Sequence, residues 1–211
     1  MEFINKDIQN YAELHTEPES RLLHGINRDT HANVIMPRML SGHLQGRVLS
    51  MLSHMIRPKY ILEIGTYTGY SALCLAEGMQ SEGRLVTIDV NEELEDRVRH
   101  HLEEAGILNK VVYKIGNALD IIPTLDYTFD LVFIDADKIN YSNYFDLVIE
   151  KMNKGGYIIA DNVLWSGKVL DEKKDKDTQG IDDFNKKVHN DSRVQNVLFP
   201  IRDGLMITRK L

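Results

Sequence analysis

Cysteine is almost missing from this chain: Cys74 stands alone among 211 residues. A single thiol excludes an internal disulfide and fits a reducing compartment, so a cytoplasmic location is expected. No apolar run approaches the length needed to span a bilayer, and the opening MEFINKDIQNYAEL has neither the basic segment nor the apolar stretch of a signal peptide. A soluble protein without membrane association is expected. Positive charge is also short, with 25 Lys and Arg against 32 Asp and Glu and a formal net charge of −7. That balance offers no general attraction to phosphate backbones and disfavours nonspecific nucleic-acid binding. No internal repeat is visible. The histidines make no metal-binding spacing: His100 and His101 are adjacent and point apart on a helix, and the others are scattered, so they read as surface or helix-packing residues.

What is present suits one core. At 211 residues and 43% apolar composition, the chain has room for one domain and little more. Residues 1–57 read as a helical amino-terminal extension: Leu44, Val48, Leu52 and Met55 recur at helical spacing, Ser41 and Gly42 suit a start, and Pro58 ends the run. Met36, Met39 and Met51 in this region are candidates for packing across a sheet or at a homodimer interface. From residue 58 to 211 short apolar runs alternate with helical stretches, the pattern of a parallel sheet covered on both faces. Strands are predicted at 60–64, 84–89, 111–115, 130–134 and 156–160. Helices are predicted near 70–79, 92–105, 118–123, 141–152 and 179–190, the second closed by Gly106 and the fourth by Gly155 and Gly156. Two further strands, 194–200 and 205–208, meet at the turn Arg202-Asp203-Gly204. The expectation is an α/β, doubly wound, seven-stranded and mostly parallel sheet with antiparallel pairing at one edge. The charged run from Asp171 to Asp177 alternates in sign and reads as a solvated loop.

In an open parallel sheet, ligands sit beyond the carboxyl ends of the strands, where the winding reverses. There the chain reads Glu63-Ile64-Gly65-Thr66-Tyr67-Thr68-Gly69-Tyr70-Ser71. Gly65 and Gly69 permit a sharp turn and a close approach of backbone to ligand, while Thr66 and Tyr67 stand where a dinucleotide fold needs small residues. Asp89, ending the second strand, can accept from both hydroxyls of a ribose. Singly, each of these residues reads equally well as a turn or a cap; their joint spacing favours a ligand site. The fourth strand ends in Asp135-Ala136-Asp137-Lys138 and the fifth in Asp161-Asn162. On neighbouring parallel strands about 4.8 Å apart these ends converge, and two carboxylates with an amide oxygen suit Mg²⁺, Mn²⁺ or Ca²⁺ rather than zinc. Helix caps and a turn at the same residues are the plain alternative.

Glu63–Ser71, Asp89, the run Ile134-Asp-Ala-Asp-Lys138, the run Asp161-Asn-Val-Leu-Trp-Ser-Gly167 and Asp203-Gly204, in this order from about Met39 to the carboxyl terminus, resemble the cation-dependent O-methyltransferases that include the caffeoyl-CoA and catechol enzymes. The resemblance implies a Rossmann-like class I methyltransferase fold and transfer of a methyl group from S-adenosylmethionine (SAM) to an oxygen of a small catechol-like acceptor. It implies that Met39, Ser41, Glu63, Gly65, Tyr67, Ser71, Asp89, Ala118 and Asp135 surround SAM, with Ala118 beside the adenine. It further implies that Asp135, Asp161 and Asn162 bind the cation, that Lys138 lies near the acceptor hydroxyl, and that Trp165 walls the acceptor pocket. Gln45 and Arg47 depart from the acid and glutamine of the plant enzymes, as does the segment 168–181, so plant-type specificity is not implied.

A sulfonium methyl is already activated, which leaves the enzyme to align an oxygen and raise its anionic fraction; a cation chelated by adjacent hydroxyls does both. Lys138 would take the phenolic proton or steady the anion, its pKa lowered by cationic neighbours. Alternatives are O-methylation of a hydroxylated nucleoside in tRNA, held by a strip of Arg21, Arg28, Arg38 and Arg47, and a noncatalytic SAM-binding partner protein. A dehydrogenase is opposed by the bulky glycine loop. Cys74 reads as a small buried residue rather than a nucleophile.

Overall fold

A computed structural model describes residues 5–211; residues 1–4 of the expected 1–57 extension lie outside them. Three helices come first: α1 (Lys6–Leu14), capped by Asn5, α2 (Arg21–Asn33), capped by the Ser20 hydroxyl, and α3 (Gly42–Ile56). There follow β1 (Tyr60–Ile64), α4 (Tyr70–Ala76), β2 (Arg84–Asp89), α5 (Glu95–Glu104), β3 (Val111–Ile115), the short α6 (Ala118–Ile121), β4 (Phe129–Ile134), α7 (Tyr141–Ile149), β5 (Met152–Ala160), α8 (Lys176–Asn190), β6 (Val194–Phe199) and β7 (Leu205–Lys210). Among the described residues no helix is long and apolar enough to cross a membrane.

The sheet order is β3-β2-β1-β4-β5-β7-β6. β7 runs against both neighbours, so the reversed strand is inserted one position in from the edge and β6 forms the edge itself. The central strands are apolar on both faces, and the two faces segregate at period two. Leu62, Ile64, Val132, Ile134 and Ile158 pack toward α7 and α8, while Ile61, Leu131, Phe133 and Ile159 pack toward α3 and α4. The winding reverses between β1 and β4, which pair in parallel from Ile61↔Leu131 to Ile64↔Ile134.

Three local expectations change. Gly155 and Gly156 do not close α7, which ends at Ile149; they lie within β5, where the pairing jumps from Phe129↔Met152 to Leu131↔Tyr157. A Cβ on Gly156 would lie 2.8 Å from the Met152 methyl and 3.0 Å from the Asn153 carbonyl, so this bulge requires the missing side chain. In α3 the buried face is not the apolar stripe. Gln45, Gly46, Leu49, Ser50 and Ser53 are buried, whereas Met51 and Met55 are 62% and 74% exposed. Small residues win that face because α4 approaches closely: a Cβ on Gly46 would meet the Tyr70 ring at 2.6 Å, and the Ser53 hydroxyl donates to the Leu75 carbonyl. Lastly, α8 starts at Lys176 because Asp175 accepts from the Thr178 amide, so the charged run is part loop and part helix, with Lys174 ion-paired to Asp182.

Candidate active site

Parallel pairing brings the ends of β2, β1, β4 and β5 side by side. The Gly65 amide donates to the Ile88 carbonyl, that of Asp135 to Ile64, and that of Asp161 to Ile134, at 2.8–2.9 Å. Above these ends opens a cavity of about 1770 Å³. An ordinary small-ligand cavity is about 300–1,000 Å³, so there is room for two ligands side by side. Every site residue expected from the sequence borders it except Glu63.

The glycine loop forms one half. Gly65 has φ +99°, and a Cβ there would lie 2.0 Å from the Asp135 carbonyl oxygen, so the close approach it permits is first that of β4 and only then that of a ligand. Asp89 accepts from the Tyr67 amide at 2.7 Å and the Asn91 amide at 2.9 Å, which fixes its carboxylate at the rim. Tyr67 sits at φ +50°, and its hydroxyl donates to the carbonyls of Ile35 and Met36, tying the segment that carries Met39 and Ser41 over the cavity. Ala118 begins α6 under an Asn117 cap. Glu63 lies beneath the wall, fully buried, accepting from the hydroxyls of Ser71 (2.6 Å) and Thr87 (2.5 Å). Burial pushes its carboxyl up to about 8 against those two donors. It therefore shapes the floor through Ser71 rather than facing the cavity.

The acidic ends of β4 and β5 form the other half. Asp161 is buried and its carboxyl is pushed upward, first by burial and then by the nearby Asp135. The Lys138 ammonium, 8% exposed, donates to Asp135 Oδ1 (2.9 Å), Asn162 Oδ1 (2.9 Å) and the Tyr141 hydroxyl (2.6 Å). Burial acts to lower its pKa, yet Tyr141 and the Asp135 carboxylate outweigh it and hold the ammonium charged. The shift is upward with Asp135 as the charged group in contact, whereas the lowered value expected above belongs to the state with a cation beside it. Lys138 is thus buried rather than solvent-facing. Trp165 stands 5.7 Å from its Nζ.

Strain concentrates here. Seven non-glycine residues among those described have positive φ, and six of them, Met36, Tyr67, Asn162, Trp165, Ser166 and Arg202, border the cavity. Such backbone costs on the order of 1–3 kcal/mol per residue. The sequence reading did not single out Tyr141 or Tyr144, and it named Gln45 only as a departure from the plant enzymes and Arg202 only as a turn residue. Tyr144 donates to Asp137; Arg202 reaches the site because the β6–β7 turn docks on the loop after β5, where the Leu164 amide donates to Asp203 and that of Val163 to Gly204. Arg47 does not join a basic strip: its guanidinium is spent on Glu77 at 2.9 Å. Cys74 is buried and its thiol is pushed up to about 12 by burial, as suits a packing residue.

The sequence from residue 12 to 211 matches the family model described as O-methyltransferase. It is 36% identical over 183 residues to caffeoyl-CoA O-methyltransferase of Petroselinum crispum, covering 79% of this chain and 75% of that one. The fold is similar to the O-methyltransferase from Bacillus cereus solved with S-adenosylhomocysteine, at 30% identity, TM-score 0.90 and 97% coverage of both chains. It is also similar to TomG from Streptomyces achromogenes, an O-methyltransferase involved in tomaymycin synthesis and solved with SAM, at 30% identity, TM-score 0.87 and coverage of 98% of this chain and 96% of that one.

Proposed function

This chain belongs to the SAM-dependent O-methyltransferases of the caffeoyl-CoA O-methyltransferase type, and from that premise we propose that it methylates a small aromatic acceptor bearing adjacent hydroxyls, with a divalent cation held by Asp135, Asp161 and Asn162. The observation that carries the reading is the Lys138 ammonium held by the Asp135 carboxylate and the Asn162 amide oxygen, with the Asp161 carboxylate at the end of the neighbouring strand, inside the same cavity as the glycine loop. Stacking two carboxylates this close is unfavourable without such a charge, and an all-oxygen donor set suits a hard cation. The residues therefore fit the ion, with Lys138 marking the place where positive charge is favoured.

When bound, the cation supplies Lewis acidity that lowers the pKa of an acceptor hydroxyl, and SAM supplies a methyl group on a positively charged sulfur. The chain does the rest by placement. Asp89 offers its carboxylate to ribose hydroxyls, and the Gly65–Tyr67 backbone borders the neighbouring space. Trp165 gives the acceptor ring a flat wall. Lys138, charged, steadies negative charge growing on the acceptor oxygen as its proton passes to solvent water. Proximity of two ligands in one cavity removes much of the entropic barrier to a bimolecular reaction.

The test is transfer from labelled SAM with Mg²⁺ present, comparing a 3,4-dihydroxy aromatic acid with its 4-hydroxy counterpart. Methylation of the first and not the second is expected. Equal methylation of both would remove the chelation argument, and transfer to tRNA alone would move the acceptor to a nucleoside.

A further inference from the structure

α3 carries one buried polar residue that methyl transfer as described leaves without a task. Gln45 is 2% exposed and does not border the cavity, yet both ends of its carboxamide are engaged. Nε2 donates to Asp161 Oδ2 at 2.5 Å, and Oε1 accepts from the Arg202 guanidinium at 3.1 Å. The same guanidinium nitrogen donates to the Ser41 carbonyl. A guanidinium has donors only, so the carboxamide satisfies both neighbours in a single orientation, oxygen toward Arg202 and nitrogen toward Asp161. The other Asp161 oxygen accepts from the Asn162 amide at 2.7 Å. Each oxygen of this carboxylate thus has a fixed N–H partner, and its plane is set before any ligand arrives.

We propose that Gln45, latched by Arg202, is a positioning residue of the cation site, holding the Asp161 carboxylate in its ligating orientation while adding no negative charge of its own. The inference rests on the cation reading of Asp135, Asp161 and Asn162 given above. Partners of this kind orient a metal ligand by hydrogen bonding to it, and their loss typically weakens metal binding about 10–100-fold. Arg202 owes its place to φ +48° in the turn before β7, so the latch ties the far edge of the sheet to the ends of β4 and β5.

The experiment is titration of the full chain with Mn²⁺, free ion being read by electron paramagnetic resonance without SAM or acceptor. Wild type is compared with Gln45→Met, which keeps the side-chain length, and with Arg202→Met, Arg202→Lys and Asp161→Ala. Expected is about 10–100-fold weaker Mn²⁺ binding in Gln45→Met, with SAM affinity near wild type and turnover returning at saturating Mn²⁺. A smaller loss is expected in Arg202→Met, restored by Arg202→Lys, and this pair decides the question if Gln45→Met does not fold. Wild-type Mn²⁺ affinity in Gln45→Met alongside its loss in Asp161→Ala overturns the positioning role and leaves the cation site standing. No Mn²⁺ uptake by wild type overturns both.

Discussion

Replacing Gly65 by alanine separates two costs that the structure assigns differently to the two glycines of the loop. At Gly65 the new Cβ would lie 2.0 Å from the Asp135 carbonyl oxygen and 2.7 Å from its carbon, both backbone atoms, at φ +99°. That approach has to open by at least 1.0 Å, to the 3.0 Å below which Cβ contacts essentially do not occur. β4 cannot yield without disturbing its pairing to β1 and β5, and Asp135 moves with it. At Gly69 φ is +82°, but a Cβ meets only Val98 Cγ1 at 3.4 Å, an ordinary contact. Positive φ costs an L-residue roughly 1–2 kcal/mol and forced overpacking about 1–3 kcal/mol, so Gly65→Ala should lose about 2–5 kcal/mol and Gly69→Ala about 1–2 kcal/mol. Urea unfolding of both variants measures the difference, and Mn²⁺ binding should fall only in Gly65→Ala. Equal losses in the two variants, with equal cation affinity, would refute the claim that Gly65 exists to let the ends of β1 and β4 close on the acidic site.

Two further outcomes follow from burial. The Glu63 carboxyl, at 4.5 when unfolded and pushed up to about 8 when folded, folds more readily protonated; its contribution is present below 4.5 and is lost as pH rises through 8. Glu63→Gln has no such loss, so its stability relative to wild type should rise between pH 5 and pH 8 by up to about 1.4 kcal/mol per unit; no relative change over that range would mean that Ser71 and Thr87 keep the carboxylate ionised. Cys74, buried with its thiol pushed up to about 12, should resist thiol reagents at pH 7.5 in the native protein and react at once in urea; rapid native labelling would contradict its packing role.

The sheet and the acidic strand ends were legible because each depends on neighbours in sequence: a continuous apolar run makes a central strand, and the residue after it stands at the strand's carboxyl end. Asp135, Asp161 and Asn162 fell together for that reason alone. What stayed hidden depends on distant partners. Gln45 finds Asp161 116 positions away and Arg202 157 positions away, and no local pattern marks either residue. The buried face of α3 misled because it is made of glycine, serine and glutamine, whose burial is decided by how closely α4 approaches rather than by hydropathy. The burial of Lys138 was hidden in the same way, because its contact with the Asn162 amide oxygen spans 24 positions. Gly155 and Gly156 were read as a helix stop, whereas the positive φ of Gly155 and the missing Cβ of Gly156 serve the irregular pairing of β5 with β4.

The most direct test of cation-assisted methyl transfer is the rate of labelled methyl transfer from SAM to the 3,4-dihydroxy acid in protein stripped by excess chelator, before and after Mg²⁺ is restored. The residues at the ends of β4 and β5 predict loss of turnover on stripping and its return with Mg²⁺. Full turnover in the stripped protein would contradict the assignment of Asp135, Asp161 and Asn162.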